Sequence, residues 1–364
     1  MAADPKQLKI VKNLNSRGIA FAIDRVPKTN RVFYGSSDFK VYELDVGAKK
    51  PDSKALEGAG HQSYVTCVVL AGKSIVTGSY DCQLVWWDAG TKKQVRAVKD
   101  AHAKRIRRLA ASPDGLIVAS VSDDMDVKLW DVATGKLKAT LKDHKPMTPH
   151  HYPSMLYAVA FSHDGKLLAT ADKVGHIVVW DVATAKKVKS LEAPVMYTWD
   201  PRQRRHSIGG IRSVAFSGDD RLLAVGGIGK IGNIDHLGGP SRIEIFDWKA
   251  GKRLHQIEDG KFKGLVEQIS FHPDGNWFVV AGGDHNGFIS IYETKSGKLI
   301  KQEKAPMHVH QFVVNEDHDT IFAVGHQKVV TWEMKVPEPK KKPAEKKPAE
   351  KKPAEKKPAK KKKG

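Results

Sequence analysis

The sequence predicts an all-β chain built from seven copies of one antiparallel unit, ending in a basic tail of a different character. Three observations carry that prediction. An aromatic residue followed by an acidic one recurs at Tyr42-Glu43, Trp87-Asp88, Trp130-Asp131, Trp180-Asp181, Phe246-Asp247, Tyr292-Glu293 and Trp332-Glu333, at spacings of 45, 43, 50, 66, 46 and 40 residues. Ahead of these pairs lie apolar runs closing on turn chemistry, LAASPDG (109–115), VAFSHDG (159–165), VAFSGDD (214–220) and ISFHPDG (269–275), where small polar residues, Asp and Gly let the chain reverse between strands. Short β-rich segments follow each turn, as LIVASVS and VKLW do in the third repeat, without the helical period needed to cross over a parallel sheet. Each unit supplies three clear strands and a less regular fourth. The near-copies VKLWDVATGK (127–136) and IVVWDVATAK (177–186) are then the third strand of a unit and the turn after it, and their role is architectural.

Bulk properties bound the rest. A chain of 364 residues with 40% hydrophobic and 8% aromatic content can bury a large core. Its two cysteines, Cys67 and Cys82, are too few for a disulfide framework and lack the paired spacing of a zinc site, which points to a reducing compartment. No run approaches the roughly 20 apolar residues that cross a bilayer, and the start MAADPKQLKIVKNLNSRG lacks the apolar stretch of a secretory signal. A cytoplasmic protein with no membrane association is expected. The net charge of +20 is unevenly spread: residues 338–364 hold thirteen Lys against four Glu, a surplus of nine, leaving +11 for residues 1–337. Two parts follow, a repeat domain over 1–337 and a tail over 338–364.

On these repeats the chain resembles the WD-repeat β-propeller family, over residues 8 to about 336. The resemblance implies a seven-bladed β-propeller of four-stranded antiparallel blades. It also implies a buried hydrogen-bonded set of His, Ser/Thr, Asp and Trp within a blade. Repeat two offers His61, Ser79, Asp81 and Trp87, and repeat three His102, Ser122, Asp124 and Trp130; in both, Asp lies six residues and Ser eight residues before Trp. Repeat four has Asp172 and Val174 at those offsets, so the set is expected to be missing there, as in repeats one, five, six and seven.

A linear array would leave its terminal edges unpaired. In the family the N-terminal segment commonly supplies the outer strand of the last blade, and here QLKIVKNL (7–14) is a spare strand while repeat seven stops soon after VVTWEMKV (329–336). Closure by the N-terminal strand is the expectation.

Three insertions break the regular pattern: KPMTPHHYPSML (145–156), VMYTWDPRQRRHSIGG (195–210) and IGKIGNIDHLGGPS (228–241). By analogy with the family all three crowd one face, over blades three to five. The second combines Tyr197 and Trp199 with Arg202, Arg204, Arg205 and His206, a composition favoured at binding hot spots. The residues expected at the channel mouth on that face are Thr66, Arg107, Tyr157, Arg212, Glu267 and His310, and Arg107 and Arg212, with Lys104 and Arg105 nearby, suggest a positive rim suited to an acidic peptide or a phosphate. The candidate partner-binding set is Tyr197, Trp199, Arg202, Arg204, Arg205, Arg107, Tyr157, Arg212 and His310.

Other motifs carry less. Gly227, Gly229 and Gly232 spell GxGxxG, yet they lie between antiparallel strands with no helix after them, so a dinucleotide site is not expected. The sixteen histidines include His150-His151, His308 and His310, with His206, His236 and Asp284 on the same face, but no ligand spacing is diagnostic; neither a metal nor another cofactor is expected. No Ser or Cys nucleophile with a committed base can be picked out.

The tail KKKPAEKKPAEKKPAEKKPAKKKKG has Pro343, Pro348, Pro353 and Pro358 at a five-residue period, which forbids a stable helix and predicts a disordered arm. Its composition is similar to that of linker-histone tails. Lys340, Lys341, Lys342, Lys346, Lys347, Lys351, Lys352, Lys356, Lys357, Lys360, Lys361, Lys362 and Lys363 would hold nucleic acid or another polyanion through counterion release. The expectation is a monomeric, non-catalytic protein-interaction scaffold that binds proteins or peptides on the inserted-loop face. The alternatives are an enzyme or metal-binding protein working at the His-rich channel mouth, and a nucleoid or chromatin component driven by the tail.

Overall fold

A computed structural model describes residues 3–202 and 204–335; the expectations placed on the lysines of 338–364 lie outside the described residues. Seven four-stranded antiparallel sheets form a closed ring, a seven-bladed propeller, with one additional two-stranded hairpin. Blades one to six are simple meanders. Blade three, for example, runs Ile106–Ala111, Ile117–Ser122, Val127–Asp131 and Leu137–Leu141 from the channel outward.

Position within a blade explains the sequence pattern. Residues 118–122 of the second strand are all buried, because both faces of the blade pack against a neighbour; strands in that setting read as continuous apolar runs rather than alternating ones. The outermost strand Leu137–Leu141 is mostly exposed, and its polar residues made it the vague fourth element of the repeat. Core side chains form slabs between successive blades, such as Cys67, Trp86, Leu109 and Trp130 between blades two and three. Cys67 and Cys82 are both free thiols.

The ring closes where a linear array would fray. Lys9–Asn15 pairs antiparallel with Lys328–Glu333, from Lys9 opposite Glu333 to Asn15 opposite Lys328, and so completes blade seven. Leu8 packs beside Met334 and Trp332, and a separate slab of Tyr34, Leu44, Phe322 and Val329 joins blades seven and one.

The buried polar set differs from the expected one in its hydroxyl. In blade two Trp87 Nε1 donates to Thr77 Oγ1 at 2.9 Å, His61 Nε2 lies 2.8 Å from the same oxygen, and His61 Nδ1 lies 3.1 Å from Asp81 Oδ2. Blade three repeats this with Trp130, Ser120, His102 and Asp124 at 2.8, 2.7 and 3.0 Å. Ser79 and Ser122 are therefore not members; each accepts the amide of its neighbouring Asp at 3.2 Å and braces the turn. Register gives the reason. Trp87 pairs with Ile75 and Trp130 with Val118, so the diagonal neighbour within reach of the indole is Thr77 or Ser120, two residues on, whereas Ser79 and Ser122 are four residues on.

Blade four also holds a complete set, contrary to expectation. His144 Nδ1 lies 2.9 Å from Asp172 Oδ2, His144 Nε2 lies 2.8 Å from Thr170 Oγ1, and Trp180 Nε1 donates to Thr170 at 2.8 Å. Asp172 sits at the strand end where blades two and three carry Ser, and reaches the imidazole from there. All three networks satisfy buried donors that would otherwise be orphaned. Ser120, His102 and Asp124 share the connectivity of a hydrolytic triad, but Ser120 and His102 are sealed in the blade and the Trp130 indole occupies the hydroxyl, so no substrate reaches it.

Candidate partner-binding face

Each inner strand starts at the channel mouth on the face that carries the blade-to-blade connections. In six blades the ladder slips there, between Ala20 and Ala22, Val65 and Cys67, Ile106 and Arg108, Leu156 and Ala158, Val266 and Gln268, and Val309 and Gln311. The residue left over is Phe21, Thr66, Arg107, Tyr157, Glu267 and His310 respectively, and a bulge of this kind re-aims its side chain. With Arg212, which precedes the blade-five inner strand, these seven residues line a cavity of about 330 Å³. The sequence points to six of them. It does not point to Phe21, because repeat one lacks both the Trp-Asp pair and an Asp-Gly turn on which to align it.

The rim is more aromatic and less positive than expected. Arg107 is not a free cation: Asp123 takes it bidentately at 2.7 and 2.7 Å, and the Tyr80 hydroxyl accepts from Nη1 at 2.5 Å. Arg212 lies over the Tyr157 ring at 3.4 Å, and Arg105 over Tyr80 at 5.1 Å. Phe21, Tyr64, Phe39 and Tyr80 continue the aromatic wall, with ring centroids 5.6 to 6.0 Å apart and Tyr64 43% exposed. Burial, with the charge of Arg212 beside it, pulls the Lys173 ammonium down to about 8.

One wall of the mouth is polar. Glu267, His308 and His310 place one ligand atom each within 4.8 Å of the others, the only such group of three His, Cys, Asp or Glu side chains among the described residues. His308 Nε2 lies 3.6 Å from Glu267 Oε1, and His308 Nδ1 lies 2.8 Å from the main-chain oxygen of Asp284. Burial favours the neutral Glu267 carboxyl, but the His308 imidazole and the Arg212 guanidinium beside it hold it below the ordinary carboxylate range. His150, His206 and His236, candidates by composition, lie outside this group.

The three insertions fuse into one ridge beside the mouth. Residues 197–200 and 206–209 form a hairpin, Tyr197 opposite Gly209 and Asp200 opposite His206. Gly210 turns the chain into the blade at φ +104°, where a Cβ would stand 2.7 Å from the Lys173 Cα. From the first insertion, His150 stacks on Trp199 with centroids 3.6 Å apart, Tyr152 donates to Asp200 O at 3.1 Å, and Tyr197 donates to Thr148 at 3.0 Å. From the third, Asp235 holds Arg204 at 2.6 Å, and Ile231 N donates to Thr198 at 3.3 Å. Met155 and Leu237 carry the ridge to the channel: Tyr157 donates to Met155 Sδ at 2.7 Å, and Leu237 lines the cavity.

Trp199 is thus clamped on one ring face and remains 39% exposed. Arg204 is committed to the ridge, while Arg202 and Arg205 are exposed and make no ion pair among the described residues. The sequence separates these contacting groups by 31 to 49 residues, and no local signal marks His150 or Asp235 as their partners.

The ring and the repeat define a seven-bladed β-propeller, and the comparisons find WD repeats in part of it. Residues 54–88, 93–131, 135–181 and 251–293 match the family described as WD domain, G-beta repeat. The chain is similar to the small ribosomal subunit protein RACK1y of Oryza sativa subsp. japonica, 33% identical over 84 residues, 22% of this chain and 25% of that protein. It is similar to a Notchless protein homolog of Arabidopsis thaliana, 31% identical over 70 residues, covering 19% and 15%. It is also similar to U3 small nucleolar RNA-associated protein 13 of Saccharomyces cerevisiae (strain ATCC 204508 / S288c), 31% identical over 102 residues, covering 24% and 12%. The matches span a quarter or less of these relatives' own lengths.

Proposed function

We propose that this chain is a non-catalytic protein-interaction scaffold that seats a partner polypeptide across the ridge and the channel mouth. The observation that carries this reading is the ridge itself: three separate insertions spend their polar and aromatic groups on one another, and the result presents a half-clamped Trp199 and two exposed arginines, Arg202 and Arg205, with no ion pair among the described residues, beside an aromatic cavity. A prebuilt surface loses little entropy on binding, and Trp and Arg are the side chains that dominate interface energy. An acidic segment bearing an aromatic or apolar residue fits that combination. Two similar proteins are named as a small ribosomal subunit protein and as a U3 small nucleolar RNA-associated protein, and membership of such an assembly is the kind of role proposed here. The thirteen lysines of residues 338–364 would add a sequence-indifferent polyanion contact, which makes nucleic acid a second class of partner.

The test is affinity capture from the native cell with three full chains: the unaltered protein, a Trp199→Ala, Arg202→Ala, Arg205→Ala variant, and a chain ending at residue 337. The ridge variant should lose its protein partners by tenfold or more while keeping nucleic acid, and the shortened chain should do the reverse. Retention of every protein partner by the ridge variant would move recognition elsewhere on the disc.

A further inference from the structure

The polar wall of the channel mouth has a feature that partner binding does not use. His308 is buried, and among the described residues its Nε2 has no hydrogen-bond partner; the Nε2 of His310 is also enclosed without one there. His308 Nε2 lies 3.6 Å from Glu267 Oε1, and a ring nitrogen of His310 lies within 4.8 Å of both groups. Buried polar atoms without a partner call for an explanation such as a bound ion or water, and here two of them stand beside one carboxylate.

We propose that Glu267, His308 and His310 form a binding site for one divalent transition-metal ion, of the kind served by Zn²⁺. The orientation of His308 supports this directly. Its Nδ1–H donates to the Asp284 carbonyl at 2.8 Å, which leaves the Nε2 lone pair pointing at the cluster; metal-binding imidazoles are typically oriented by such an outer hydrogen bond. The spacing suits the ion. Ligands about 2.0–2.2 Å from a tetrahedral centre stand roughly 3.3–3.6 Å from one another, and His308 Nε2 lies 3.6 Å from Glu267 Oε1. All three donor atoms fall within 4.8 Å, a gap that small side-chain rotations close. Two imidazole nitrogens and one carboxylate oxygen match the donor preference of Zn²⁺, Co²⁺ or Ni²⁺ rather than of Ca²⁺ or Mg²⁺.

The backbone supplies the convergence. Glu267 and His310 are the bulge residues of adjacent inner strands, both turned into the channel, and His308 precedes the same strand as His310. Two guanidiniums stand nearby and keep their charge, Arg108 donating to the Glu267 carbonyl at 2.6 Å and Arg212 lying over Tyr157, so the carboxylate of Glu267 must offset them for a cation to bind. Three protein ligands leave at least one coordination position open toward the mouth.

The experiment uses the full chain without a histidine tag, freed of metal by a chelator and titrated with ZnCl₂ by calorimetry, with Co²⁺ absorption as a second probe. One equivalent should bind, with the visible bands of a low-coordinate Co²⁺ site. Glu267→Gln and His310→Gln should each weaken binding by about 100-fold or more, since even outer-shell changes cost 10–100-fold. His206→Ala and His236→Ala, on the same face but outside the group, should leave it unchanged. Equal affinity in all four variants, or no binding beyond weak association with exposed histidines, would overturn the proposal. Should the cavity variants fold poorly, anomalous diffraction from unaltered protein crystallised with equimolar Zn²⁺ decides independently. A peak within about 2.0–2.2 Å of the three donor atoms supports the site; a peak elsewhere, or none, refutes it.

Discussion

Thr77, Ser120 and Thr170 each receive a tryptophan N–H and stand against a buried histidine, so each hydroxyl satisfies two groups at once. Thr77→Val keeps the shape but strands the Trp87 N–H and the His61 nitrogen, and should cost ~1–3 kcal/mol for each group left unpaired. Thr77→Ser should recover most of that loss; thermal unfolding of the pair tests it, and equal melting temperatures would contradict the assignment. Asp124 gives a pH prediction. Burial favours its neutral form, but the His102 hydrogen bond and charge together with the Asp126 and Ala103 amides hold it at about 2, below its ordinary 3.8. A depressed carboxylate contributes stability that is complete above its unfolded value and is lost as pH falls through the folded one. The unaltered protein should therefore lose stability between about pH 4 and 2 more steeply than Asp124→Asn, measured by denaturant unfolding at each pH; parallel curves would remove Asp124 from the account. At this scale the sequence was half legible. Asp and Trp at a six-residue offset mark the sets of blades two and three, but the choice between Thr77 and Ser79 depends on cross-strand register, which repeat spacing does not reveal. In blade four, Asp172 does the work from an offset that a fixed pattern excludes.

Among the elements, the closing strand Lys9–Asn15 is the most consequential, because without it Lys328–Glu333 becomes an open edge. Removal of the first 15 residues should cause aggregation or a large drop in melting temperature, followed by light scattering and circular dichroism; a soluble monomer with unchanged unfolding would contradict closure. Removal of residues 338–364 should leave unfolding unaltered. The hairpin over 197–209 makes a different prediction. If the His150 stack holds it, a double-mutant cycle of His150→Ala and Trp199→Ala should show coupling of about 0.5–1.5 kcal/mol, and His150→Ala alone should speed amide exchange at Thr198 and Ile208. Strand count, blade boundaries and closure are all readable from turn signals and a spare segment. The bulges are not, since a single skipped residue changes no local composition, and yet they turn Phe21, Arg107, Glu267 and His310 into the channel. Nor is Arg107's neutralisation by Asp123, sixteen residues away across a strand pair.

For the molecule as a whole, the disc offers two faces of unequal character. One carries the short Asp-Gly turns, and the other carries the ridge and the mouth. A chain ending at residue 337 should lose nucleic-acid retention, and the loss should be largest at low salt, because counterion release makes phosphate binding fall steeply as salt rises. The central claim, that partners sit on the ridge face, is tested most directly by placing a photo-crosslinking residue at position 199 in one chain and at position 166, exposed in a turn on the opposite face, in another. Irradiation in the native cell, followed by mass spectrometry, reads which position touches a partner. Crosslinks to a reproducible protein partner from position 199, and none to that partner from position 166, are the predicted result; the reverse, or equal yields from both positions, would contradict a ridge-face scaffold.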